Sequence, residues 1–239
     1  MNTQAKIGIL GGSGASSAAF TAQGVCSVRR SRTRTCGSKR RQDLAMRARA
    51  NKKTVSLKEK VFNVIKGYEK GYGDRKVTEE EDDRIDDVIA DLEDVNPTKS
   101  ARDSEYMVGR WRLMFTSSTI TRFAKGMSGI HSLLPGGRSL EVEQIIEPED
   151  YRSYIVEKVS YLGGTLKGDA FIIGQFRWNN ENKLIWRPED LKLWFLNFQA
   201  ENGWRALSAL RSLEVTYLDY EVKIERGEIG QVFLWKRVE

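Results

Sequence analysis

The stretch Thr216–Arg237, TYLDYEVKIERGEIGQVFLWKR, constrains the fold more than any other. Tyr220, Val222 and Ile224 alternate with Glu221, Lys223 and Glu225; Phe233 and Trp235 then alternate with Leu234 and Lys236. A period of two marks strands with one buried and one wetter face. Gly227 and Gly230 bracket the link, as a tight turn demands. A lone hairpin is unstable in water, so further strands must complete its sheet. The segment Gly109–Ser118, GRWRLMFTSS, is an upstream partner.

From Tyr106 onward the strand pattern persists. Trp111, Leu113 and Phe115 alternate first, then Leu140, Val142, Gln144 and Ile146, then Tyr154 and Val156. Ala170, Ile172, Gly174, Phe176 and Trp178 share one face, with a turn at Asn179-Asn180. Leu184 and Trp186 follow, then a strand near Leu191–Phe198 that is apolar on both faces, and Leu213 leads into the final hairpin. About eight short antiparallel strands suffice to close a small barrel around one ligand.

The segment Thr119–Leu134 breaks this period. Ile120, Phe123, Met127, Ile130 and Leu134 recur at helical spacing, although Gly126 and Gly129 each weaken a helix by about 1 kcal/mol. Three roles fit it: a lid over the barrel mouth, a foot on a lipid surface, or a plug for one end of the core.

Residues 54–97 read as two short helices. Ser56 and Glu59 have capping-box spacing, Leu57, Val61 and Ile65 form a stripe, and Gly67 can stop the helix. Thr78 and Glu81 give a second box ahead of Ile85, Val88, Ile89 and Leu92, and Asn96-Pro97 ends that helix. Asp82-Asp83-Arg84-Ile85-Asp86 matches the D-D-x-x-D string that holds Mg²⁺ on a diphosphate. That chemistry needs a second acidic string, and none is present; a solvated acidic first turn explains these residues better.

Residues 1–53 are different in kind. They hold 12 of the 39 Lys/Arg and one of the 33 Asp/Glu, which leaves residues 54–239 with a formal net charge of −5. The basicity therefore belongs to a leader rich in Ser, Ala, Gly and Arg, the composition of an organelle transit peptide. A nucleic-acid footprint needs clustered bases on the folded part, which the body lacks. The glycine-rich Lys6–Gly14 is followed by no acid at dinucleotide-fold spacing and belongs to the same leader. Both cysteines, Cys26 and Cys36, lie there too, so the body has no disulfide frame and no cysteine nucleophile or metal ligand. His131 is the single histidine, and no Ser-acid arrangement points to it.

Four motifs then identify a family. LKEKVFNVIKG (Leu57–Gly67), LEDVNP (Leu92–Pro97), GRWRLMFTSS and TYLDYEVKIERG resemble, in order and spacing, the plastid-lipid-associated proteins, or plastid fibrillins. The resemblance covers Leu57 to Arg237 and is most specific in Tyr217-Leu218-Asp219, Ile224, Arg226-Gly227 and Phe233. The G-x-W at Gly109–Trp111, paired with a late arginine, also resembles the lipocalin pattern, in which the Trp packs under an Arg and closes a barrel. The resemblance implies a mainly β protein, a lipocalin-like antiparallel barrel (106–239) behind a helical segment (54–97) and a transit peptide (1–53). It implies residence in the plastid, at thylakoids or plastoglobules. It also implies non-enzymatic binding or organisation of carotenoids, prenylquinones or fatty acids, with no cofactor. A scaffold docking a plastid enzyme or photosynthetic complex is the alternative; a lipid or carotenoid enzyme is disfavoured, because the body offers no cysteine cluster or second titratable pair.

Trp178, Trp186, Trp194 and Trp204 depart from the family pattern and reshape the expected pocket. Phe176, Trp178, Trp186 and Trp194 are the expected ligand contacts, weighed against ordinary core packing. Gly109, Trp111, Tyr217, Asp219, Arg226 and Gly227 are the expected closure set. Either Arg226 or Arg237 can cover Trp111 by a cation–π contact. Alternation with Val222 and Ile224 favours Arg226, with Asp219 as its anion.

Overall fold

The computed structural model describes residues 52–68, 70–71, 76–130, 134–147, 152–194, 196–199 and 205–238. Residues 1–51 of the leader, His131 and Trp204 lie outside them, and Lys52 and Lys53 already belong to the first helix. Two helices come first, α1 (Lys52–Ile65) and α2 (Glu79–Glu93). α1 begins before Ser56, so Ser56 and Glu59 lie within the helix and form no cap. α2 opens on its expected capping box: the Thr78 hydroxyl accepts from the Glu81 N–H, and the Glu81 carboxylate accepts from the Thr78 N–H.

The strands are β1 (Gly109–Thr116), β2 (Arg138–Ile146), β3 (Arg152–Tyr161), β4 (Leu166–Trp178), β5 (Lys183–Leu193), β6 (Leu196–Gln199), β7 (Ser212–Leu218), β8 (Val222–Gly227) and β9 (Val232–Arg237). A short helix, α3 (Thr119–Phe123), follows β1. Antiparallel pairing runs β1-β2-β3-β4-β5-β7-β8-β9 and returns to β1, so eight strands close a barrel and β6 hangs on β5. β4 pairs with β5 from Ala170↔Leu193 to Trp178↔Leu184, whereas β5 meets β7 only over Lys183–Ile185 because β6 occupies its later half. β5 is one strand where two were expected; Pro188 is accommodated at a bulge opposite Ile173 and Gly174.

Two cores share this sheet. Inside the barrel pack Trp111, Leu113, Val142, Ile155, Ile172 and Trp235. Between the helices and the outside of β1, β7, β8 and β9 lies a second core, with Leu57, Val61, Ile89 and Leu92 against Phe115, Tyr217, Ile224 and Leu234. This second core overturns the expected orientation of the last hairpin. Val222 and Ile224 face the helices, and Lys223 and Glu225 are fully buried inside the barrel. A bulge between Leu113 and Phe115 shifts the register and sends Phe115 to the outer core, away from the face of Trp111 and Leu113. A bulge beside Leu140 leaves it exposed, and β3 turns Ile155, Val159 and Tyr161 inward in place of Tyr154 and Val156.

The segment after β1 is helical only to Phe123. Lys125, at φ 49°, and Gly126 end the helix, and the chain dips into the barrel end with Met127 and Ile130 fully buried in the inner core. The Glu157 carboxylate accepts from the Ser128 N–H at 2.7 Å, and the Tyr161 hydroxyl donates to the Ile130 carbonyl at 3.0 Å. The plug is thus the form this segment takes.

On the outside of β1 and β2, Arg110 and Arg112 enclose the Glu143 carboxylate, whose side chain is buried. Burial pushes that carboxyl up, but hydrogen bonds with Glu141, Arg112 and Arg110 outweigh it and hold it below its ordinary value of 4.5. A depressed carboxylate stabilises the fold above its unfolded value, and the contribution is lost as pH falls through the folded one. Glu143→Gln is therefore expected to be less stable than the parent near neutrality, with the gap closing as pH falls below 4.5. Urea titrations at several pH values test this; a gap independent of pH refutes it.

Candidate functional site

The inward face of β4 carries Ala170, Ile172, Gly174, Phe176 and Trp178, as the alternation predicts. Gly174 is needed for close approach: a Cβ there would stand 2.7 Å from the Trp186 indole and 2.6 Å from the Arg187 carbonyl. Trp186 lies buried against that bare backbone and pairs directly with Phe176 across the β4–β5 ladder. Phe176 and Trp178, both half-buried, meet edge to face at 6.1 Å. These three aromatics form one group. Trp194 does not join it. It sits beyond the far end of β5, roughly 25 Å along the strand at about 3.3 Å per residue, against Tyr161 at 5.9 Å.

The closure set is also rearranged. Arg237, not Arg226, covers Trp111, with its guanidinium carbon 4.2 Å from the ring centre. It faces Tyr220 on another side at 5.4 Å and donates to the carbonyls of Tyr220 (2.6 Å), Val108 (2.9 Å) and Tyr106. Gly109 is required beside it, because any Cβ there would strike the guanidinium. Arg226 points out of the barrel and pairs with Glu93 (2.8 Å) and Asp86 (2.8 Å) of α2. The reason is the outer core, which puts Val222 and Ile224, and Arg226 in phase with them, on the helix side. Asp219 is therefore not its anion. One Asp219 oxygen accepts from the N–H groups of Glu221 and Val222 at 2.8 Å; the other takes the Tyr217 hydroxyl at 2.6 Å and pairs with Lys58. Burial, then that carboxylate, pushes the Tyr217 phenol well above its usual range. Gly227 lets Gln231 pack against the backbone of the β8–β9 turn.

The D-D-x-x-D string is used structurally. Asp82 pairs with Arg122 of α3, and Asp86 pairs with Arg226 of β8. Among the described residues no His, Cys, Asp and Glu cluster has the makings of a metal site.

Sequence reasoning missed the polar centre of the barrel. The Lys223 ammonium donates to Glu225 at 2.8 Å and to the Gln144 amide oxygen, and it lies 5.1 Å and 5.6 Å from the ring centres of Trp235 and Trp111. Burial holds its affinity for the proton below that of an ordinary lysine, and Glu225 offsets this only in part. The second Glu225 oxygen and the indole N–H groups of Trp186 and Trp235 are buried without a hydrogen-bond partner among the described residues. Buried groups of this kind are normally paired. The barrel interior thus combines apolar and aromatic side chains with unmet indole donors on Trp186 and Trp235 and unmet carboxylate oxygens on Glu157 and Glu225.

The PAP_fibrillin family model matches residues 55–185, more than half of the chain. The chain belongs to the PAP_fibrillin family. The matched span runs from α1 to the start of β5 and so takes in both helices, the plug and the face bearing Phe176 and Trp178. A curated relative, the Probable plastid-lipid-associated protein 5, chloroplastic, of Arabidopsis thaliana, is 27% identical over 187 residues, 77% of this chain and 70% of its own length. No solved structure matches this PAP_fibrillin chain significantly.

Proposed function

We propose that this protein binds apolar plastid molecules (carotenoids, prenylquinones or lipids) without catalysing a reaction, at the surface of thylakoids or plastoglobules. The observation that carries the reading is the unpartnered Trp186 and Trp235 N–H groups and Glu225 oxygen inside a barrel whose core is mainly apolar. A ligand with one polar end group would meet them, while its apolar body gains about 25 cal/mol per Å² buried against Phe176, Trp178 and Trp186. The buried charges support a carrier over an enzyme, because Lys223 is committed to Glu225 and Gln144. Family membership, the chloroplast designation of the relative and the transit-like leader support the plastid.

The test is to incubate the full chain with a pigment and lipid extract of photosynthetic membranes, repurify it and identify co-eluting molecules by mass spectrometry. A stoichiometric carotenoid, quinone or lipid is expected, with occupancy reduced several-fold in Trp186→Phe, which keeps an aromatic ring, smaller than the indole, and removes the N–H. A protein that emerges with nothing bound refutes the carrier reading and favours the scaffold, with partner capture as the next experiment.

A further inference from the structure

Among the described residues most exposed large apolar side chains lie at one end of the barrel, whereas Val55, Leu140 and Phe171 are exposed on α1, β2 and β4. β1, β3, β5 and β8 all finish at that end, and the connections that follow carry Phe123, Leu134, Leu162, Trp194, Leu196 and Ile229. Phe123 is 92% exposed and Leu162 54% exposed. At the opposite end the corresponding apolar groups are covered, by Arg237 over Trp111 and by Ala101 and Met107, which are buried in the inner core.

Two of these residues break local rules as well as exposure rules. Leu162, in the β3–β4 turn, has φ 50°, and Trp194, in the β5–β6 turn, has φ 52°. Left-handed backbone at an exposed turn favours Gly, Asn or Asp, and water favours a polar side chain. Trp194 lays one edge on the bare backbone of Gly168 and against Tyr161 and leaves the rest of its indole exposed, while Leu162 stands more than half exposed at the tip of the neighbouring hairpin. Such residues are retained where a surface needs them. Arg138, Lys167 and Lys192 are exposed beside these tips. Asp169 faces Lys158 across the β3–β4 ladder. The acidic α2 lies on the other side of the barrel, against β7 and β8.

We infer that this rim, from Leu134 and Leu162 to Trp194 and Leu196, is the lipid-contacting face, with its apolar tips among the headgroups of an anionic lipid surface and Arg138, Lys167 and Lys192 on their phosphates or sulfates. The tips stand on three separate connections, Leu134 ahead of β2, Leu162 between β3 and β4, and Trp194 with Leu196 between β5 and β6. Separate apolar anchors suit a fluid layer that closes around them, whereas a rigid protein partner would need a matching pit for each. The basic side chains complement anionic headgroups, and their alkyl stems extend the apolar contact. This rests on the lipid-surface part of the proposed function and adds the orientation: the barrel stands on the end closed by its plug, so a ligand leaving past Met127 and Ile130 passes directly into lipid.

The experiment is flotation of the full chain with phosphatidylcholine vesicles containing phosphatidylglycerol. High salt screens attraction between the basic leader and the vesicles. Leu162→Asn combined with Leu196→Asn removes apolar tips, and Asn suits the left-handed turn, so the far-UV circular dichroism is expected to be unchanged. Val55→Asn, on exposed α1, is the control. The inference expects the bound fraction to fall at least threefold in the rim variant and to hold in the control. A parent that floats and a rim variant that floats equally well overturn the inference while leaving the lipid-surface reading intact. A parent that does not float overturns both, and leaves the binding of an apolar molecule in the barrel to be judged by the extract experiment.

Discussion

Lys223→Met is expected to destabilise the protein by about 3–5 kcal/mol, because it leaves the Glu225 carboxylate buried with neither oxygen paired to a cation. Glu225 already has one oxygen without a partner, so it has no reserve of hydrogen bonds. The indole faces of Trp111 and Trp235 would lose the cation they share. The double variant Lys223→Met/Glu225→Leu is expected to recover most of the loss, since replacing a whole buried pair by apolar groups is commonly neutral or stabilising. Denaturant unfolding of the parent, both single variants and the double variant gives the coupling directly. If the double variant is as unstable as Lys223→Met, Lys223 supports the fold through packing and not through its charge. If the double variant is stable yet binds no extract molecule, the pair is retained for the ligand.

That pair also shows where reading the chain stopped. Tyr220–Glu225 has clear alternation, and alternation reports that two faces differ. It does not report which face meets which core. In a barrel wrapped by helices both faces are buried, and the more apolar one belongs to whichever side offers more apolar surface. Here α1 and α2 supply Leu57, Val61, Ile89 and Leu92, and they claim Val222 and Ile224. Lys223 and Glu225 go inside by default and are neutralised by each other. The amphipathic helices were visible in the sequence. Docking them on the hairpin would have exposed the inversion, and with it the swap of Arg226 for Arg237.

Bulges account for most other departures. Strand existence was legible from period and turn residues: β1, β2, β4, β7, β8 and β9 stand where Trp111, Val142, Ile172, Leu213, Ile224 and Trp235 place them. A bulge moves the face by one residue without a distinctive local sequence, which is why Phe115 and Leu140 leave the faces their spacing assigns. Glycine was the better guide. Gly109 and Gly174 are each forced by a neighbour that a Cβ would strike, Arg237 in one case and Trp186 in the other. Of the four proposed ligand contacts, Phe176, Trp178 and Trp186 come together because they fall on one ladder. Trp194 was grouped with them on residue type alone, and strand length separates it.

Arg237→Ala is the second substitution with a large expected effect, about 3 kcal/mol. The guanidinium sits between Trp111 and Tyr220 and satisfies three backbone carbonyls, those of Tyr106, Val108 and Tyr220. Alanine removes the cation–π contacts and leaves the carbonyls to whatever water can reach them. Burial lowers the guanidinium's hold on its proton, while Tyr220, Asp219 and Tyr106 counter that; an arginine remains charged through any ordinary pH, so no titration complicates the measurement. Arg237→Lys keeps a charge and is nonetheless expected to lose more than half as much as alanine, because one ammonium cannot reach three carbonyls and stack on two rings. The decisive readout is the difference between the two variants in urea. If lysine restores parental stability, closure at this end depends on charge alone. If it does not, the planar fork over Trp111 is what joins β1 to β9 where the barrel begins and ends, and Gly109→Ala, which intrudes on the same guanidinium, should reproduce the loss with Arg237 still in place.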